Sequence, residues 1–92
     1  MSPRGARAAA RVLPFGSHRP RIDPSAFVAP GAWVIGQVTI EREASVWFGA
    51  VVRGAAQPIV IGPETLVEDN VVVHGRVTTG HACVLGHGAV VH

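Results

Sequence analysis

The sequence predicts an all-β solenoid, a three-sided prism coiled from six-residue units, and two phased columns of residues carry that prediction. The bulky aliphatics Ile22, Val28, Val34, Ile40, Val46 and Val52 recur every six positions; after a gap of nine, the series resumes as Ile61, Val67, Val73, Thr79, Leu85 and Val91. Small residues follow four places behind, as Ala26, Ala32, Val38, Ala44 and Ala50, then Thr65, Val71, Val77, Cys83 and Ala89. Composition agrees: 11 Gly, 7 Pro and no Tyr among 92 residues, with β-branched side chains abundant, suit many short strands and turns rather than a helix bundle.

Each unit supplies one short strand and one corner. The bulky anchor fills the interior, and the small residue fits where the chain bends inward. Three units, eighteen residues, close one coil. Residues 1–20 read as a basic, disordered N-terminal arm and 21–92 as the repeat domain. Five of the eight arginines (Arg4, Arg7, Arg11, Arg19, Arg21) fall in the first 21 positions, where there is no acid, whereas residues 22–92 carry three Arg against six Asp and Glu. The sequence pI near 10 therefore belongs to the arm, and a nucleic-acid role for the domain is not expected. An organelle-targeting peptide, a disordered arm and a misassigned start all remain open for this segment. It has no apolar run long enough for a signal peptide or a membrane span. A single cysteine precludes an internal disulfide and points to the cytoplasm, and Cys83 reads as a small inward residue.

Taking the units in rotation as sides A, B and C gives the outward residues. Side A shows Arg21, Asp23, Thr39, Glu41 and Thr78 and reads as solvated. The position before each anchor is Phe27, Ser45, Leu66 and Val84 on side B, and Trp33, Val51, Val72 and Val90 on side C. Gly31, Gly49, Asn70 and Gly88 occupy equivalent corners, where unusual backbone angles are required. The extra residues in GAAQP (54–58) form a loop. Two sticky sides and one wet side fit a closed threefold homotrimer.

His74 and His92 are one coil apart, both directly after an anchor on side C. They should stack about 4.8 Å apart along the axis, with Arg53 one coil below His74. His87 falls at a corner after side B, with Asp69 one coil beneath it. Packing B of one subunit against C of the next brings His87 to the pair, and three imidazoles with one open position make a catalytic zinc site that activates water at neutral pH. Asp69 would then orient the His87 ring. Polar filler at turns and interfaces, or a lone histidine base, are the competing readings. His81 lies on another edge and reads as a solvated turn residue; His18 is assigned nothing.

With these residues placed, PSAFVAPGAWVIGQV, SVWFGAVVRG, EDNVVVHG and GHGAVVH together resemble the γ-class carbonic anhydrase family, from about residue 18 to residue 92. The resemblance implies a left-handed coil and a homotrimer. It also implies Zn2+ (or Fe2+ or Co2+) held by His74 and His92 of one chain and His87 of its neighbour, with CO2 and bicarbonate as the small-molecule substrate pair. Arg53 would shape the interface and Glu68 would touch the bound water. Departures accompany it. The family's Arg-Gly-Asp reads Arg53, Gly54, Ala55 here, and Glu68 stands where a glutamine is usual, so bicarbonate would be repelled. Ala56 and the short HGRVTTG segment leave no acid for proton transfer, which implies slow turnover. The chain reads as a truncated member ending on an open sheet edge. A non-catalytic trimeric metal-binding module and a hexapeptide acyltransferase using a histidine base are the alternative functions.

Overall fold

The computed structural model describes residues 10–92. Its strands are β1 (Arg11–Leu13), β2 (Arg21–Ile22), β3 (Phe27–Val28), β4 (Trp33–Ile40), β5 (Ser45–Val46), β6 (Val51–Ile61), β7 (Leu66–Val67), β8 (Val72–His74), β9 (Val77–Thr78), β10 (Val84–Leu85) and β11 (Val90–Val91). Every pair of these strands is parallel, and their order is that of a parallel β-helix built from hexapeptide units. Side B is a four-stranded sheet in the order β10-β7-β5-β3. Sides C and A are joined: β4 and β6 run from one to the other without leaving the ladder, making one bent sheet of seven strands.

The anchor column forms the core. Val28, Val34, Val46, Val52, Ile61, Val67 and Val73 are fully buried, stacked in register with their counterparts one coil away. Each such side chain removed from water is worth roughly 1.5–3 kcal/mol, the main driving force in a fold with little besides short strands. The small column closes the corners, with Ala26, Ala32, Ala44, Ala50 and Thr65 at 0–1% exposure. At the predicted corners Gly31, Gly49, Asn70 and Gly88 the backbone takes φ of 82°, 73°, 61° and 70°.

Thr79, the one anchor that is not aliphatic, has a polar reason. Its hydroxyl accepts a hydrogen bond from the Gly62 amide at 2.7 Å. The Thr65 hydroxyl donates to the Gly80 carbonyl at 3.0 Å and accepts from the Cys83 amide at 3.3 Å. Two inward threonines thereby satisfy backbone groups that an aliphatic pair would leave unpaired.

Two features depart from the sequence reading. Arg11–Leu13, assigned to the N-terminal arm, is a strand paired with Trp33–Ile35, because its alternating R-V-L pattern sets Val12 beneath Val34 and Arg11 5.7 Å from the Trp33 ring centroid. Residues 1–9 of the arm lie outside the described residues. The inserted segment 54–58 also does not leave the sheet as a loop. Gly54 stays paired with Gly36, and Ile59 rejoins opposite Val38, so only Gln37 faces Ala55–Pro58. Ile59, which the six-residue rhythm passes over, becomes a core residue at 1% exposure because it takes the inward place beside Val38 and Val77.

Candidate metal centre

Parallel register decides the geometry of the histidines on side C. Val91 lies over Val73, and Arg53 pairs with His74, so each residue following an anchor stacks on its equivalent. The His74 and His92 rings lie face to face, centroids 5.1 Å apart and planes 16° apart. Two imidazoles therefore share one face, at a height difference of one coil. Arg53 extends the column downward; it is exposed and has no carboxylate partner within 4.0 Å among the described residues. A guanidinium next to two imidazoles favours an anionic ligand at this spot.

His87 occupies the corner after β10. The Gly88 amide donates to the Asp69 carbonyl at 3.0 Å, which fixes the corner over the one below. The ring is flanked by two carboxylates: Nδ1 is 3.8 Å from Asp69 Oδ1, and Nε2 is 3.6 Å from Glu68 Oε1. Both distances exceed hydrogen-bond length, so the contacts are electrostatic. The His87 side chain is 70% exposed, whereas Glu68 is 24% exposed.

Among the described residues of a single chain, no group of three or more His, Cys, Asp or Glu side chains is close enough to hold a metal ion. The donors themselves suit one: imidazole nitrogen is the shared preference of zinc, iron and cobalt, and the stacked pair offers two such nitrogens on one surface. A three-imidazole set built on this pair must draw its third donor from another copy of the chain.

Beside the pair lies a hollow of about 460 Å³ that sequence reasoning missed. Arg53, His74 and Ala56 line it, together with Gln57 from the inserted segment and Phe15 from the segment after β1. No periodic signal marks Phe15 or Gln57, because both lie where the repeat is interrupted.

His81, expected as a solvated turn residue, is exposed but paired. Its Nε2 is 3.3 Å from Glu64 Oε1, and Arg42 donates to Glu64 Oε2 at 3.0 Å. The Arg42 hydrogen bond, then the charge of His81, hold the Glu64 carboxyl below its ordinary pKa. A carboxyl depressed in the folded state stabilises the fold above its unfolded pKa, and that contribution is lost as pH falls through the folded value. Glu64→Gln should therefore lower the urea midpoint at neutral pH and leave it unchanged once pH is below both values. A gap between variant and parent that persists in acid would show that the carboxylate charge is not responsible.

No family model matches the chain. Individual relatives do. The chain is 40% identical over 83 residues to gamma carbonic anhydrase 3, mitochondrial, of Arabidopsis thaliana, covering 79% of this chain and 32% of that one. It is 36% identical over 90 residues to a carbonic anhydrase of Geobacillus kaustophilus, covering 87% and 49%. The chain belongs to the γ-class carbonic anhydrase family. Among solved structures, a hexapeptide transferase family protein from Anaplasma phagocytophilum superposes with a TM-score of 0.85 at 37% identity, covering 87% of this chain and 49% of that one. The chain spans about a third to a half of the length of these relatives.

Proposed function

We infer that the protein is a γ-carbonic-anhydrase-like metal-binding chain that acts as a homotrimer and hydrates CO2 to bicarbonate. The observation that carries this reading is the stacked His74–His92 pair on a face flanked by Arg53. His74 and His92 of one chain and His87 of the next would hold Zn2+, with Fe2+ or Co2+ as alternatives. When bound, such an ion supplies the Lewis acidity that activates water at neutral pH.

The chain's own residues do the rest. Asp69, its Oδ1 3.8 Å from His87 Nδ1, is the carboxylate placed to orient that ring as a ligand. Glu68, on the other edge of that ring, accepts a hydrogen bond from the attacking water. Its negative charge opposes retention of bicarbonate, whereas Arg53, one coil below His74, favours an anion beside the pair. With Ala56 where an acid would carry the proton away, and the HGRVTTG segment too short to supply another, proton release falls to solvent, and turnover is slow. Likeness to a hexapeptide transferase family protein from Anaplasma phagocytophilum supports an acyltransferase with a histidine base as a second reading, in which metal plays no part. A trimeric module that binds metal without turnover is the third.

Purified protein loaded with zinc and dialysed should retain about one ion per chain, and His74→Ala, His87→Ala or His92→Ala should each remove nearly all of it. Asp69→Asn should weaken zinc affinity by roughly 10–100-fold. Stopped-flow CO2 hydration by the loaded protein then separates an enzyme from an inert module. A parent protein that keeps no zinc sinks the reading.

A further inference from the structure

The two interruptions of the repeat meet at the bend between sides C and A, where they line a second groove that does not include His74 or His92. On one side is segment 17–21, which leads into β2; on the other is the bend of β6, where four residues stand opposite Gln37 alone. Between them is a groove of about 470 Å³ on the solvated side of the molecule. Its wall presents hydrogen-bond donors almost without opposition: Ser17, His18, Arg19, Arg21, Gln37 and Thr39. No carboxylate lines it. Neither Arg19 nor Arg21 has a carboxylate partner within 4.0 Å among the described residues, although Asp23 and Glu41 line the next groove on the far flank of Arg21.

Cations gathered in a concavity without acids make a local potential that attracts anions. Two guanidinium groups with hydroxyl and amide donors match the oxygens of a phosphate, which arginine pairs in bidentate fashion. The volume lies within the range of small-molecule sites, about 300–1,000 Å³, and is far larger than one phosphate needs. Pro20 and Pro58, both half-buried, add apolar wall for an organic body.

We propose that this groove binds a phosphorylated small molecule, with Arg19 and Arg21 pairing the phosphate and Gln37 and Thr39 completing its hydrogen bonds. The site owes nothing to the His74–His92 pair, so zinc content and CO2 hydration do not bear on it. Isothermal titration of the full chain with AMP, inorganic phosphate and adenosine tests it. AMP should bind with Kd below about 1 mM, phosphate more weakly, and adenosine not measurably. Arg19→Gln combined with Arg21→Gln should weaken AMP about tenfold or more. Gln37→Glu, which sets a carboxylate in the groove, should abolish binding, while Arg76→Gln on a different coil should leave it unchanged.

Adenosine binding as tightly as AMP overturns the proposal. So does an Arg76→Gln variant that weakens AMP as much as the groove pair, which would mean net charge alone, and so does the absence of AMP binding at millimolar concentration. Phosphate matching AMP would assign the groove to the free anion and remove the organic body from it.

Discussion

Chains carrying His74→Ala, refolded in equal mixture with chains carrying His87→Ala, should recover about a quarter of the parent's zinc content, although each variant alone binds almost none. The fraction follows from a site divided between neighbours. An interface is complete only where a chain with an intact His74–His92 pair meets a neighbour with an intact His87. In a random trimer each requirement is met with a chance of about one half. The same experiment with His74→Ala and His92→Ala should recover nothing, because both substitutions strike the pair that a single chain must supply whole. The stacked rings are what make that pairing indivisible: they sit on consecutive coils of one strand column, 5.1 Å apart. Zinc measured by mass spectrometry in both mixtures decides the matter. Failure of the first mixture, or recovery in the second, overturns the division of ligands between subunits.

Gly36→Ala should cost about 3 kcal/mol or more, enough to unfold much of a domain this small. Two effects add. Gly36 has a φ of 79°, where a side chain is strained by about 1 kcal/mol or more. A Cβ there would also overlap the Gly54 carbonyl, which belongs to the paired backbone of the next coil, and would press on Phe15. Gly31→Ala separates the two, since φ is 82° but nothing lies within 4 Å of the new carbon. It should cost only about 1 kcal/mol. Urea denaturation of both variants beside the parent measures the difference. Equal losses would mean that backbone strain, and not the close approach of successive coils, sets the need for glycine at residue 36.

Much of the fold was legible before any coordinates. Eighteen residues per coil follow from strand and corner lengths, and strand spacing is fixed by backbone hydrogen bonding. Residues 18 apart in an uninterrupted stretch must therefore lie one above the other. Val73 under Val91, Asn70 under Gly88 and Asp69 under His87 needed no more than counting. The same arithmetic brought His74 beneath His92, although the tilt of the rings was not readable from it. Thr79 was visible as an exception to the aliphatic column but not explicable, since its hydrogen bond goes to Gly62 across a corner.

What the sequence by itself determined is the periodic part: three sides, the buried column of Val and Ile, the left-handed-backbone corners and the vertical histidine pair. These depend only on spacing within the chain. Tertiary structure alone decided where the interrupted segments go. Ile59 enters the core, Arg11–Leu13 adds a strand below Trp33, and Phe15 and Gln57 wall the hollow beside His74. A residue outside the repeat has no neighbour assigned by counting. Its place is set by which open surface it can cover and which charge it can reach, and both exist only once the coil has closed.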